Sequence, residues 1–426
     1  MIRSIFTNFS SRLAVAVMHF AMLLMITHYL GKGIYGQISI LALNVSIIHL
    51  ISDLAGGPSL VYLTPRAKLN SLLLTGSVWS IFNSLAIGVV FLYTGLFPSL
   101  YGKELLLIGL IVSLHSLNLN LLLGQQRIKA YNILFFVQGI LQMFTMIICI
   151  FICKLTSAYP YIYACLASNL LCYFIGIWLV HKNAPIPKIR ETKSLLLLLF
   201  KNGFFTQAAA FSFLCSKTIS FNSMKKILPD GEGAIGIFNS AYSLGAAIML
   251  FGFSVASIVL SKVANQENHV ETRSTVFRLC KLSFVLTAMG LVFFLFLPAN
   301  FYSWLLGKDF YSVKLVFISM SPGILFLSLG TVFAHYFSGA GKHYMNFISG
   351  SLALLATYLT TDAIIRKTGL SGAGYSASIP FIVSTVAIFA AFMLIGGSKK
   401  SDWKQLLPSK EDFHSVRTII KKIKQR

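Results

Sequence analysis

Acidic side chains are scarce in this chain. Twelve Asp and Glu stand against 35 Lys and Arg among 426 residues, a net charge of +23. The few acids are mostly scattered singly, and no Asp-x-Asp, His-Glu-x-x-His, Gly-x-Ser-x-Gly or Walker motif occurs. That excludes ATP hydrolysis by this chain and argues against catalysis. Cysteine is also sparse: Cys149, Cys153, Cys165, Cys172, Cys215 and Cys280 include no Cys-x-x-Cys pair and lie within or beside apolar runs. They frame neither a zinc site nor a disulfide scaffold, so no metal is expected and they read as small buried hydrophobes. Charged residues of both signs reach only 11%, where a soluble globular chain carries about 25%. No block combines basic and base-stacking residues in a soluble domain, so nucleic acid is not an expected partner.

What the chain has instead is long apolar runs, 56% of residues being hydrophobic. A span needs about 20 apolar residues, and on that basis the expected fold is an all-α polytopic membrane protein with about twelve transmembrane helices. They are placed at 11–30, 37–63, 71–96, 104–123, 131–153 and 160–180, then at 203–224, 234–261, 279–299, 314–338, 345–365 and 373–396. The first is read as an uncleaved helix, because no small-residue cleavage site follows it. Two landmarks recur at a constant interval. Gly33-Ile-Tyr-Gly36 and Gly233-Ala-Ile-Gly236 each open an apolar segment 200 residues apart, and Pro98 and Pro298 keep the same offset. Gly124-Gln-Gln-Arg127 pairs less strictly with Gly339-Ala-Gly-Lys342. Duplicated six-helix halves are a mark of membrane transporters, whose substrate site lies between the repeats.

The expected division is a six-helix bundle over 1–180, a cytoplasmic linker over 181–202 that contains Pro185 and Pro187, a second bundle over 203–397, and a basic tail over 398–426. Both termini are placed in the cytoplasm, because that leaves fourteen basic residues in or beside the inner loops and nine by the outer ones. In the tail, Ser409-Lys-Glu-Asp412 resembles a capping box, and Phe413, Val416, Ile419, Ile420 and Ile423 share one helical face opposite Lys421, Lys422 and Lys424. Such a helix lies on anionic lipid of the cytoplasmic leaflet; the alternative is a disordered solubilising tail.

A charge at the bilayer centre costs on the order of 3 kcal/mol or more, so each one inside a span needs a reason. Lys217 falls about 14 residues into the seventh helix, roughly 21 Å from its end, too deep to snorkel easily. Ser216, Thr218, Ser220 and Asn222 flank it as a polar stripe. Its role is either an anion contact or a structural pair, with Asp53 as the candidate partner. Asp53 precedes Gly56-Gly57-Pro58, a sequence that invites a kink or broken turn; a broken helix beside a buried carboxylate builds ion and substrate sites, the alternative being local satisfaction by backbone donors. Arg12, at the start of the first helix, can simply snorkel. Asp362 and Arg366 stand at i and i+4 and read as an interfacial ion pair of little worth. His19, His28, His49, His115 and His335 fall in apolar helices; any could carry protons, and each alone reads more readily as a hydrogen-bonded core residue. His19 and His49 are the pair to test.

Four stretches, Tyr29-Leu-Gly31-Lys-Gly33-Ile-Tyr-Gly36-Gln, Asp53-Leu-Ala-Gly56, Leu123-Gly124-Gln-Gln-Arg127 and Gly233-Ala-Ile-Gly236-Ile-Phe-Asn-Ser-Ala241-Tyr, carry a resemblance in their order and spacing. The chain resembles the polysaccharide flippases of the multidrug/oligosaccharidyl-lipid/polysaccharide exporter superfamily, most of all the O-antigen flippases. The resemblance implies two six-helix bundles around a central cavity that opens alternately inward and outward, in the bacterial inner membrane. It implies no enzyme and no cofactor beyond an H⁺ or Na⁺ gradient. The implied substrate is an undecaprenyl-pyrophosphate-linked oligosaccharide, and a glycan polymerase and chain-length regulator are the implied protein partners. Ser11-Arg12-Leu13 is similar to the start of the first helix in lipid II flippases, where the arginine faces the cavity. Arg12, Lys217 and Arg66 (or its neighbour Lys68) would then hold the pyrophosphate. Asp53, with or without His19 or His49, would couple an ion, and the kink at Gly56, Gly57 and Pro58 would let its helix bend. Two alternatives stay open: a cation-coupled drug exporter of the same superfamily, which would carry more cavity acids, and a membrane glycan polymerase, which would carry a long outer loop.

Overall fold

In lipid no water satisfies an exposed backbone N–H or C=O, so long apolar runs must close their hydrogen bonds internally, as helices do. The computed structural model describes residues 2–64, 67–94, 101–181, 192–265 and 269–395, and among these there is no strand. The helices are α1 (Ile2–Tyr29), α2 (Gly31–Ser52), α3 (Pro58–Leu63), α4 (Leu69–Thr94), α5 (Gly102–Gly124), α6 (Ile128–Ile147) and α7 (Tyr159–His181). They continue with α8 (Thr192–Ile227), α9 (Gly231–Asn265), α10 (His269–Phe296), α11 (Ala299–Leu306), α12 (Val313–Gly339), α13 (Tyr344–Thr368) and α14 (Leu370–Ile395). Ten helices are long and apolar enough to span among the described residues; α8, bent by 54° before Gly203, makes an eleventh, and Ala14–Tyr29 is a shorter apolar helix. The chain is thus an all-α, multi-pass membrane protein. Large apolar side chains stay exposed along the spans, Phe82, Trp178, Phe293 and Phe296 among them, as a lipid-facing surface requires.

Several boundaries differ from the sequence expectation. The span expected at 37–63 is broken: α2 stops at Ser52 and α3 starts at Pro58, whose missing N–H is harmless at a first helical position. Helix α8 starts at Thr192, inside the stretch expected as linker. The short α11 after Pro298 was not expected at all. The weakest of the repeat pairs is well matched in three dimensions. Helices α5 and α12 both end at the paired glycines, Gly124 and Gly339. Each end closes with the same two bonds, Arg127 N to Leu122 O and Gln126 N to Leu123 O in one, Lys342 N to Phe337 O and Gly341 N to Ser338 O in the other. Gln126 and Gly341 take the positive φ that such a cap needs. Pro98 and the tail 398–426 lie outside the described residues.

By contacts the chain divides into two compact units. The first comprises Met1–Leu214, Met224–Asn239 and Tyr302–Tyr311, with a leucine core of Leu60, Leu72, Leu117, Leu121, Leu122 and Leu134. The second comprises Cys215–Ser223, Ser240–Phe301 and Ser312–Arg426, with Phe277, Phe333, Phe337 and Phe392 at its centre. There the Phe277 and Phe392 rings meet edge to face, 5.5 Å apart. Pro322 interrupts α12 in this unit, and serines repair the ladder. Ser321 Oγ donates to Ile318 O at 2.8 Å, the carbonyl that a residue with an N–H at 322 would have bonded. From α14, Ser378 Oγ accepts from Gly323 N and donates to Ser319 O.

Candidate functional site

The break between α2 and α3, in the first unit, gathers four of the expected residues. Asp53 caps α2, its N–H bonded to His49 O, and its own carbonyl accepts from Gly57 N at 2.9 Å. One turn back, His49 Nε2 stands 3.6 Å from Asp53 Oδ2, with both side chains largely shielded. His49 Nδ1 has no hydrogen-bond partner among the described residues. Three neighbours bound the break. Trp79 Nε1 donates to Ile51 O, Asn83 Nδ2 to Ile48 O and Ser52 Oγ, and Gln207 Nε2 to Asp53 O at 3.5 Å. The backbone is closely surrounded: a Cβ at Gly57 would stand 2.7 Å from Gln207 Nε2, the mobile end of that side chain, and 3.2 Å from Asp53 O, and one at Gly56 would stand 3.1 Å from Asp53 Oδ1. A carboxylate and an imidazole at a broken helix end can share a proton or face a small cation.

A separate candidate group is Lys217, in the second unit, ten residues before the end of α8. Its ammonium sits over the Tyr242 ring, 4.5 Å from the centroid, and 5.3 Å from that of Phe221. Of the expected polar stripe, Ser216 and Ser220 are buried and are joined by Ser223, whereas Asn222 is exposed on another face. The spacing explains the difference, because 216, 220 and 223 fall on one helical face and 222 does not. Ser220 Oγ donates to Ser216 O and accepts from Ser376 Oγ. Ser223 Oγ donates to Asp362, and no ion pair joins Asp362 to Arg366 among the described residues. A hydroxyl–carboxyl hydrogen bond to a neighbouring helix replaces the expected ion pair.

Of the remaining expected residues, the side chains of Arg12 and Pro58, and Arg66 altogether, lie outside the described residues. His19 stands on an exposed face of α1, and Lys68 is exposed. His28 and His335 each hydrogen-bond the carbonyl four residues back, Leu24 O and Thr331 O.

One polar system escaped the sequence reading. Buried His115 meets Gln138 at 3.2 Å, and Gln138 Nε2 donates to Asn169 Oδ1 at 2.9 Å. Asn169 Nδ2 donates to Cys165 O, Gln142 Nε2 donates to Cys165 Sγ, and Asn118 Nδ2 donates to Tyr173 O. The signal was present: His115 and Asn118, Gln138 and Gln142, Cys165 and Asn169 recur at three- and four-residue spacing in otherwise apolar helices. That spacing puts each pair on one face, and such amides join helices in membranes.

No family model and no curated protein matches the chain. Among solved structures it is similar to the lipid II flippase MurJ in an inward closed conformation, with TM-score 0.71 and 15% identity over 92% of this chain and 87% of that one. It is similar to a multidrug resistance MATE family transporter of the MOP superfamily in an inward-facing conformation, with TM-score 0.70 and 14% identity over 92% and 97%. A MOP superfamily transporter from Pyrococcus furiosus, whose binding pocket is described as having reverse polarity, gives TM-score 0.60 and 16% identity over 92% and 96%. The fold is the one these transporters share.

Proposed function

We propose that this chain is a flippase for lipid-linked oligosaccharide, moving an undecaprenyl-pyrophosphate-linked repeat unit from the inner to the outer leaflet of a bacterial inner membrane by alternating access. The observation that carries the proposal is Lys217. A cation held on aromatic faces inside a span fits an anionic head group, and the chain as a whole is poor in acids. The fold shared with a lipid II flippase supports a lipid-linked cargo. In this reading Lys217, with Arg12 and Arg66, binds the pyrophosphate while the polyprenyl tail stays in lipid. The Asp53–His49 pair couples transport to an H⁺ or Na⁺ gradient, and the α2–α3 break lets that segment bend. Both termini are cytoplasmic, the tail rests on anionic lipid, and the protein hands its product to a glycan polymerase.

The test is deletion in the native host, with analysis of surface glycan and of undecaprenyl-linked intermediates. Complete lipid-linked units accumulating on the cytoplasmic face are expected. Units that reach the outer face unpolymerised would instead point to a polymerase. The second reading, a cation-coupled multidrug exporter, is favoured by the likeness to MATE transporters and by the Asp53 carboxylate; normal glycan with altered drug tolerance would select it.

A further inference from the structure

Two glycines in the left-handed region, Gly31 at φ 78° and Gly307 at φ 106°, follow the ends of α1 and α11. Both lie in the first unit, and Gly307 backs onto α1, where a Cβ would stand 3.2 Å from Thr27 O. With no side chain at either glycine, a cleft of about 580 Å³ opens beside them, lined also by His28, Trp304, Lys308 and Asp309. That volume is in the range of small-molecule sites, roughly 300–1,000 Å³.

The side chains around the cleft are a mixed polar set and one bare ring. Trp304 is 73% exposed. Lys308 and Asp309 are both exposed and make no ion pair among the described residues. His28 Nδ1 meets Leu24 O at 3.1 Å; a carbonyl can only accept, so that nitrogen carries the hydrogen, and Nε2 of the neutral ring is left as an acceptor. A tryptophan that merely anchors a helix at the membrane surface needs no such cleft beside it. Charge decides between ligands. Lys308 and Asp309 cancel, so the cleft has no net attraction for a phosphate, and an apolar ligand would strand its polar groups. A sugar matches both parts: its hydroxyls donate and accept, and its C–H face lies well on an indole. We propose that this cleft is a saccharide-binding site, taking a short stretch of glycan with one ring against Trp304 and its hydroxyls on Asp309, Lys308 and His28. In the orientation proposed above α1 starts on the inner side, so the cleft opens outward. Holding sugars on the side to which they are delivered is a purpose that rests on the flippase reading; the ligand class rests on the cleft alone.

The test is saturation-transfer NMR on the full chain in phosphatidylcholine nanodiscs. The probe is the soluble oligosaccharide released by mild acid from the host's own surface glycan. Transfer to its ring protons is expected, and Trp304→Leu and Asp309→Asn should each weaken binding about tenfold. Both positions are exposed, so neither change removes core packing, and Trp178→Leu, likewise exposed on α7, should bind as the wild type does. No transfer, or transfer indifferent to Trp304 and Asp309, would overturn the site whatever the chain exports. Transfer lost when phosphatidylglycerol is added to the discs, and regained in Lys308→Gln, would overturn the saccharide and give the cleft to a lipid phosphate. Binding that depends on Trp304, in a host whose deletion strain keeps normal glycan, would overturn the flippase reading and leave the saccharide site standing.

Discussion

An ammonium inside a bilayer can lower its cost with water, with a counter-charge or with the face of an aromatic ring. Lys217 uses rings, lying over Tyr242 and Phe221. A desolvated cation–π contact is worth about 2 kcal/mol, comparable to the roughly 3 kcal/mol that insertion costs. The rings thus offset much of the cost of placing the lysine there. Lys217→Ala should abolish glycan export with membrane protein near its normal level, measured by surface-glycan analysis beside an immunoblot. Export by that variant at the wild-type rate would remove Lys217 from the site. Tyr242 should matter through its ring and not its hydroxyl: Tyr242→Phe should export normally, whereas Tyr242→Leu should export severalfold less.

Between helices, polar side chains do two different jobs in this fold. In α5, α6 and α7 they bind permanently, because an amide or imidazole with no partner in hydrocarbon is costly. Gln138 bridges His115 and Asn169, so Gln138→Leu breaks two hydrogen bonds and leaves buried groups behind. A loss of about 1–3 kcal/mol is expected, read as a lower thermal midpoint in detergent. At the starts of α2 and α9 the polar contacts are partly exposed, and their pH response is narrow. The Lys32 ammonium, by hydrogen-bonding Asp230, holds that carboxyl below its usual value. A depressed carboxyl contributes above its unfolded value near 4 and loses that contribution as pH falls through its folded value. Lys225, Glu232 and Asp309, whose Oδ2 would stand 3.6 Å from a Cβ on Gly31, are further charged groups near these helix starts. Hydrogen exchange in segments 31–40 and 230–240, corrected for its intrinsic pH dependence, should therefore be flat between about pH 8 and 5 and rise only below about 4. Both kinds of contact were partly legible. The helical spacing of the amides could be read in advance, but the partner of Lys32 could not. Asp230 lies 198 residues from Lys32 in sequence, and only folding brings the two together.

Over the whole molecule, hydropathy alone was enough to show the class, since each apolar run has no choice but to be a helix. The repeat was legible through its glycines, of which Gly36 and Gly236 mark places where backbone meets backbone. The break at Asp53–Gly57 could be read because Gly-Gly-Pro dictates it. The start of α8 at Thr192 could not, because apolar content locates the part of a helix in lipid and is blind to the part outside it. Substrate is the property furthest from hydropathy, and charge is the guide to it. A chain with a cation on its second unit's α8 and few acids should prefer cargo by head-group charge. In proteoliposomes without ATP, a pyrophosphate-linked polyprenyl oligosaccharide should cross faster than the monophosphate-linked form of the same glycan. Lys217→Ala should erase that difference, because the second phosphate then finds one cation fewer. Efflux of a cationic dye from the same vesicles should match that of protein-free ones. Dye efflux above that background, with no preference between the two phosphates, would replace the flippase with the drug exporter.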